Sequence, residues 1–393
     1  MAARRAGSAV RLPALTTLGA DSPVSPAALN VLVLGGYGFF GSRIARSLAG
    51  DRRIRLSLAG RDRRRVEAAA RVLGLDATQA VCVDAHGASL SSELRQRGID
   101  VLIHTAGPFQ GQDYDVARAA IAAGCHYIDL ADGRGFVSGI AALDSAARDR
   151  GVTVVSGASS VPCLSSAVVD RYAPRFRELT VIRIGIGSGA RAPGLATVRG
   201  IFGYLGKPFT RLEHGQWVVT HGWMDLKRHR FPAPLGARWL GSCDVPDLEL
   251  FPRRYPSVRT VTFHAGFASD VGHLVVWALA GAVRSGLLRS GEAFARPLNG
   301  WSRILEPIVS DKGGMFVTLE GVGHDGAALA LTWNLIASQN HGPQIPCAAA
   351  TALTRKLAAG QRLPIGAMPC VGLLSVEEYL EPLRDLDVRE APP

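Results

Sequence analysis

Lysine is nearly missing from this chain of 393 residues: Lys207, Lys227, Lys312 and Lys356 are the only four among 44 basic residues. The formal net charge of +11 is therefore an arginine charge. It sits in short, separated clusters at Arg61 to Arg65, Lys227 to Arg230 and Arg253-Arg254. A nucleic-acid surface calls for one basic stripe interleaved with aromatics, and no such stripe is visible, so no nucleic-acid partner is expected. The six cysteines, at positions 82, 125, 163, 243, 347 and 370, form no C-x-x-C pair, which argues against metal ribbons and redox motifs. No metal site is expected. Cys82 and Cys125 border apolar segments and read as small buried thiols, in keeping with a reducing, cytoplasmic compartment. Long apolar runs are lacking too: no window of about 18 uninterrupted apolar residues exists, so no spanning helix is expected. The most apolar stretch, Leu274–Leu288, is interrupted by Arg284 and Ser285. It reads as a core or interface helix of a homo-oligomer, with weak association to a membrane surface as the other reading.

The composition that remains is globular, with 47% hydrophobic and 20% charged residues. The length suffices for two domains, each with its own core. Residues 1–29 carry Arg4, Arg5 and Arg11 against a single acid, Asp21, among Ser, Thr and Pro. A disordered extension is expected there, a transit peptide being the alternative. From Val31 to Ser156 short apolar runs alternate with helical spacing. Strands are expected at Val31–Leu34, Ile54–Ala59, Ala80–Val83, Val101–Thr105, His126–Leu130 and Val152–Ser156. The intervening helices fall at Phe39–Ala49, Asp62–Leu73 (with Asp62 as N-cap), Leu90–Arg97, Asp113–Ala123 and Phe136–Arg150. This alternation predicts an α/β, doubly wound parallel sheet of Rossmann type over residues 30–170. After Gly157 the rhythm breaks. Strands at Leu179–Ile186, Trp217–Thr220, Val258–Phe267, Met315–Val322 and Ala328–Ile336 are separated by Gly/Pro-rich connections. An α+β domain with a mixed sheet, for substrate binding or dimerisation, is expected over 171–345, then C-terminal helices over 346–387. The last residues, Val388–Pro393, look frayed.

The stretch Asn30 to Gly50, NVLVLGGYGFFGSRIARSLAG, places G-x-G-x-x-G at Gly36, Gly38 and Gly41 between a strand and a helix, the context this motif requires. Gly36 suits the tight turn, Gly38 a backbone approach to a pyrophosphate, and Gly41 close packing of helix on strand; Tyr37, Phe39 and Phe40 fill the turn. The helix N-terminus offers unpaired N–H groups and a favourable dipole to phosphates. An NAD site usually places an acidic residue about 20 residues past the glycines. This chain has Arg61 there instead, in Leu58-Ala59-Gly60-Arg61-Asp62-Arg63, where a guanidinium suits a ribose 2′-phosphate. NADP(H) is accordingly expected over NAD(H). Asp84 follows the third strand and faces the adenine or caps a loop. Thr105-Ala106-Gly107-Pro108-Phe109 follows the fourth, where small residues let the chain pass close to a cofactor and Phe109 lies against the nicotinamide or in the core.

These segments, together with Ala123-Gly124-Cys125-His126-Tyr127-Ile128-Asp129-Leu130 and Ser156-Gly157-Ala158-Ser159-Ser160-Val161-Pro162, resemble the saccharopine dehydrogenase-like, NADP-binding-domain family of oxidoreductases. The resemblance is specific over residues 30 to 170 and softer beyond. It implies a Rossmann domain carrying an α+β domain, with the final helices packing back on the first domain. It also implies NAD(P)-linked hydride transfer with a small-molecule substrate, often at C–N bonds, hence an imine or amino-acid-like one.

The acid–base group is less legible. No tyrosine has a lysine four residues on; Tyr114 is followed by Arg118 and Tyr255 by Arg259, which excludes the Tyr-x-x-x-Lys solution. Tyr127 and Asp129, with Asp132 beyond, flank the fifth strand's end and are the catalytic candidates, against the blander roles of packed tyrosine and capping carboxylate. His104 reads as a core histidine and Gln112 as a cleft residue. From the second domain His324, Trp333, Asn334 and His341-Gly342-Pro343 are candidates to line a pocket. No Ser/His/Asp set stands out. Two other functions fit the same pattern: reduction of an enoyl or keto lipid-like substrate, and a non-catalytic NADP(H) sensor.

Overall fold

Two sheets organise the chain, and each takes one strand from its far C-terminal end. The computed structural model describes residues 28–189, 198, 200, 202–291, 294, 300 and 310–393. The expected N-terminal extension therefore lies outside the described residues, except for its last two. The first sheet is built from β1 (Leu29–Leu34), β2 (Ile54–Gly60), β3 (Ala80–Cys82), β4 (Val101–His104), β5 (His126–Asp129) and β6 (Thr153–Ser156). A late strand, Gly366–Pro369 (β15 in chain order), pairs in parallel with β6. The order is β15-β6-β5-β4-β1-β2-β3, parallel throughout. β4 is buried along its whole length and β1 from Val31 onward, which is why they read as unbroken apolar runs rather than alternating ones. Strand order reverses at the β1/β4 boundary, and ligands of open α/β sheets bind in the crevice beyond the strand ends at such a point.

The second sheet is mixed. It contains β7 (Phe176–Gly187), β8 (Pro208–Glu213), β9 (Gln216–His221), β10 (Lys227–Arg230), β11 (Ala237–Ser242), β12 (Thr260–Gly266), β13 (Gly313–Gly323), β14 (Ala328–Ala337) and β16 (Val388–Ala391). β7 and β12 run parallel, whereas β13 and β14 form a long antiparallel ribbon along β7. One apolar cluster runs from Val31, Ile44 and Ile103 through Leu164 and Val168 to Ile184, Val317 and Trp333, so the two sheets share a core. The helix Ser165–Tyr172 is the element that bridges them. The C-terminal helix Ala348–Ala358 packs back on the first domain, where Arg355 Nη2 donates to the Ser47 carbonyl at 2.9 Å.

Several expectations need correction. Val388–Ala391 is not frayed; it pairs antiparallel with Asn334–Ala337. Cys82 is exposed, because β3 is an edge strand with one turn of sheet behind it. The single helix expected over Phe136–Arg150 breaks into Arg134–Gly139, a 3₁₀ turn Ile140–Leu143 and Asp144–Asp149. At the break the Tyr114 hydroxyl packs against Gly139, where a Cβ would come within 2.5 Å of it, and donates to Phe136 O at 2.7 Å. The apolar helix begins earlier than expected, as Asp270–Arg284, because Ser269 caps it by accepting from Gly272 N at 3.1 Å. Only one face of it is core: His273, Val276 and Ala280 are buried, whereas Val271, Leu274, Val275 and Trp277 are exposed.

Candidate active site

The glycine turn is shaped by what it touches. Gly35 has φ +83° and lies under Thr105, whose hydroxyl donates to the Leu34 carbonyl at 2.8 Å. A Cβ at Gly41 would meet Thr105 Oγ1 at 2.6 Å and come closer still to Gly35 O, so the helix Gly41–Leu48 can approach β1 only without one. A Cβ at Gly38 would stand 2.9 Å from the same carbonyl. Gly38 N–H closes the turn onto Gly35 O at 2.7 Å, and Ser42, Arg43 and Ile44 donate back to Gly38 and Phe40. Among the described residues, no backbone carbonyl accepts from the N–H groups of Phe39 and Phe40. Free donors at a helix start, on a floor kept clear of side chains, fit the pyrophosphate of a dinucleotide.

At the end of β2 the ring of Tyr37 packs on Gly60, with the Arg65 guanidinium 4.4 Å above it. Arg61 is exposed beside this pair, and its guanidinium makes no ion pair among the described residues. Asp62 caps the next helix, as expected, accepting from Arg65 N at 3.1 Å. Asp84 Oδ1 accepts from His86 N at 3.3 Å in a tight loop after β3.

A cavity of about 370 Å³ runs from this turn into the second domain. Its near wall includes Phe39, Phe40, Thr105, Gly107, Pro108 and Phe109; its far wall includes Ile186, Trp223, Phe263, Phe267 and Met315. Trp223 and Phe267 stack at 4.9 Å with planes 11° apart. Phe109 serves both as core and as wall, edge-on to His104 at 5.0 Å. Gly342 and Pro343 line the cavity. Gln112 does not: its amide donates to the carbonyls of Ala106 and Pro108 at 3.1 and 2.7 Å, pinning the loop that carries Phe109.

Of the three polar groups that the sequence places at the end of the fifth strand, Tyr127 and Asp129 stand outside the cavity and Asp132 lines it. Tyr127 is fully buried on the opposite side of the sheet, 3.0 Å from Nδ1 of His104, whose pKa burial lowers to about 3. Asp129 is fully buried as well. Its Oδ1 accepts from Gly157 N, Ala131 N and Ser156 Oγ at 2.8, 2.9 and 3.0 Å, stapling the end of β5 to that of β6. Burial raises its pKa to about 6 against those three bonds. Neither residue lines the cavity. Asp132 does, together with Gln110, whose Nε2 donates to Asp132 Oδ1 at 3.0 Å. The Asp132 carboxyl is solvent-accessible where it opens to the cavity, and the protein packed around it raises its pKa by desolvation. Tyr204 and Asp244 join it from the second domain; burial pushes the Tyr204 phenol well up and the Asp244 carboxyl up, the latter opposed by Arg134. Gln110, Tyr204 and Asp244 carried no periodic signal, because each stands alone on a loop.

The other second-domain candidates lie elsewhere. His324 Nε2 meets the Pro174 carbonyl at 2.8 Å on the outside, and Trp333 Nε1 donates to Glu390 at 2.6 Å inside the core. Asn334 is buried in β14, and His341 Nδ1 accepts from Asp387 N at 2.9 Å. A Ser/His/Asp neighbourhood does exist at Ser242, His264 and Asp225. Ser242 Oγ and Asp225 Oδ2 both face Nε2 of the one histidine, at 3.4 and 3.1 Å, so no proton relay runs through it. Arg211 ties the same group together, 2.8 Å from Asp225 and 2.7 Å from Ser242, and holds the β8–β9 hairpin to β11 and β12. Among the described residues no cluster of His, Cys, Asp or Glu suits a metal ion, and no helix is long and apolar enough to cross a membrane.

Residues 31–155 match the family model of the saccharopine dehydrogenase NADP binding domain. The first domain is thus of the type that the sequence resemblance implies. No curated protein matches the chain. Among solved structures the chain is similar to apo saccharopine dehydrogenase (L-Glu forming) from Saccharomyces cerevisiae, with 15% identity, a TM-score of 0.65, and coverage of 93% of this chain and 100% of that one. It is also similar to amine dehydrogenase from Mycobacterium smegmatis, with 12% identity, a TM-score of 0.49, and coverage of 90% and 96%. At such identities the likeness to the yeast enzyme is one of fold.

Proposed function

We propose that this chain is an NADP(H)-dependent oxidoreductase that acts on a small organic substrate in the cavity between its domains. The observation that carries the reading is the continuity of that cavity with the glycine turn: Phe39 and Phe40 belong to both. When bound, a nicotinamide dinucleotide supplies the capacity to give or take a hydride. The chain's own part is to hold, orient and enclose. Gly36, Gly38 and Gly41 keep the pyrophosphate floor clear, and Tyr37, Gly60 and Arg61 form the end of β2 where a ribose phosphate is recognised. Asp84 closes the loop beside them, while Thr105, Gly107 and Phe109 wall the cofactor's reactive end and Ala106 lies between them with its carbonyl bonded to Gln112. Apolar walls exclude water. Asp132 is the group placed to hold or release a proton at its carboxyl oxygens, with Gln110 orienting it.

The match of residues 31–155 to an NADP-binding family and the free guanidinium of Arg61 support NADP(H) over NAD(H). A sensor without chemistry has no need for an enclosed cavity with a carboxyl in its wall, which favours the enzyme. The exposed apolar face of Asp270–Arg284 supports a homodimer as part of the same reading, and six free thiols support a reducing, cytoplasmic setting. The test is titration of NADPH and NADH followed by nicotinamide fluorescence. Wild type is expected to prefer NADPH, and Arg61→Ala to lose about 10- to 100-fold for NADPH while leaving NADH unchanged, as befits one charge-assisted contact. Equal binding of both cofactors by wild type would remove Arg61 from the argument.

A further inference from the structure

The charges around the cavity constrain what can enter it. Among the described residues its wall contains no lysine, arginine or histidine, but it does contain Asp132, Asp244 and Asp311, the last accepting from Gln339 N at 2.8 Å. The guanidinium beside Asp244, that of Arg134, is committed. Its Nη1 lies 3.2 Å from Asp244 and 2.7 Å from the Thr210 carbonyl, and its Nε lies 3.2 Å from Glu249. Glu249 is shared with Arg253, 2.7 Å away, so Arg134 is what faces Asp244, whereas Asp132 makes no ion pair among the described residues: its Oδ1 takes a neutral amide N–H from Gln110 at 3.0 Å. A carboxylate-bearing substrate would find no counter-ion among the described residues of the wall and would face like charges there, which disfavours it. An ammonium or iminium group would meet the opposite situation. Most of the remaining wall is apolar, with Phe109, Tyr204, Trp223, Phe263, Phe267 and Met315 around it, and its other polar side chains, such as Ser159, Ser160 and Asn340, are neutral. Ring faces next to a carboxylate are the setting in which desolvated organic cations are held.

Resting on the oxidoreductase reading, we infer that the cavity selects an apolar amine or its iminium form, lacking a carboxylate, with the nitrogen bound at Asp132 and the hydrocarbon body against the Trp223–Phe267 stack. The substrate is therefore not amino-acid-like, although that is what the family resemblance implies.

The test is calorimetric binding of three matched probes, phenethylamine, phenethyl alcohol and hydrocinnamate, to the full chain with and without NADP⁺. NADPH is titrated on the same samples. The amine is expected to bind at least about 10-fold tighter than the alcohol, and the carboxylate weakest, in line with one charge-assisted hydrogen bond. In Asp132→Asn the amine should fall to the affinity of the alcohol. Asp244→Asn, which leaves Asp132 in place, should lower amine affinity less and keeps the test decisive if Asp132→Asn does not fold. Hydrocinnamate binding as tightly as the amine, an amine preference that survives both substitutions, or no binding of any probe would each overturn the inference. Loss of NADPH binding with the amine preference intact would sink the oxidoreductase reading alone; the reverse would sink the substrate class alone.

Discussion

The two walls of the cleft are made by different means. The cofactor end of the first-domain wall is backbone: glycines at 35, 38 and 41, a threonine hydroxyl bonded to a strand carbonyl, and N–H groups at a helix start. The second-domain wall is side chains: Trp223, Phe263, Phe267 and Met315 from separate strands and loops, with single polar groups at Tyr204 and Asp244. A backbone surface binds what all dinucleotides share and tolerates no added atom. A side-chain surface binds what distinguishes one substrate from another, and it can be altered one residue at a time.

The hardest test of this contrast is a methyl group on the backbone wall. Gly41→Ala places a Cβ within van der Waals contact of Gly35 O and Thr105 Oγ1. Neither atom can move without breaking the β1–β4 pairing, in which Thr105 N also bonds the Leu34 carbonyl at 2.9 Å. NADPH binding is expected to fall by more than about 100-fold, with a loss of stability of about 1–3 kcal/mol for overpacking. Fluorescence titration and urea melts read both. Near wild-type NADPH affinity in this variant would mean that the turn gives way and is no rigid cradle.

The seam between the walls offers a second, smaller effect. Asp247, at the start of the helix Asp247–Arg254, is fully buried, and its Oδ1 accepts a short hydrogen bond from Ser165, at the start of the bridging helix Ser165–Tyr172. Its Oδ2 has no partner, and burial raises its pKa to about 7. Below a pH of about 4 the carboxyl is protonated whether the chain is folded or not. Between about 4 and 7 the unfolded chain gives up the proton and the folded one keeps it, so stability falls as pH rises, by up to about 4 kcal/mol. Asn at this position keeps the acceptor for Ser165 but leaves an amide N–H₂ unpaired, at about 2 kcal/mol. Asp247→Asn is therefore expected to gain about 2 kcal/mol at pH 8 and to lose about as much at pH 4. An effect of the same size at both pH values would show that Asp247 does not titrate in this range.

The same contrast explains what was legible in the sequence. The first domain repeats one rule, a buried strand followed by an amphipathic helix, and its turn needs glycine at set spacings. Six strands, the cap at Asp62 and the glycine turn could therefore be read directly. Its seventh strand could not, because Gly366–Pro369 is four residues long, far from its partner β6, and apolar only in part. In the second domain β8, β10 and β11 went unread: Lys227–Arg230 is exposed and basic, with no apolar alternation to betray an edge strand. The candidate site suffered in the same way. Tyr127 and Asp129 sit in a patterned segment and drew notice, but the pattern marks them as structure: one is packed under the sheet and the other staples two strands. Asp132, three residues on, has left the strand, and its direction is set by the loop and by Gln110, neither of which periodicity can report.

The mildest perturbation needs no mutation and addresses a side chain of the cleft alone. Desolvation raises the Asp132 pKa, so in the empty cavity its carboxyl takes up a proton at a higher pH than an exposed aspartate would. Only the ionised form attracts a cation. Affinity for phenethylamine should therefore rise with pH as Asp132 ionises, then level off, and fall only as the amine itself loses its proton near a pH of about 10. The bound ammonium favours the ionised carboxylate in turn, so binding at low pH releases a proton to the buffer. Calorimetry in buffers of different ionisation enthalpy measures that release directly. NADPH affinity, fixed by backbone groups that do not titrate, should stay nearly flat over the same range apart from its own 2′-phosphate. A low-pH loss of amine affinity that persists in Asp132→Asn would assign the titration to Asp244 and its Arg134–Glu249 pair, and would move the cation site across the cleft to the other wall.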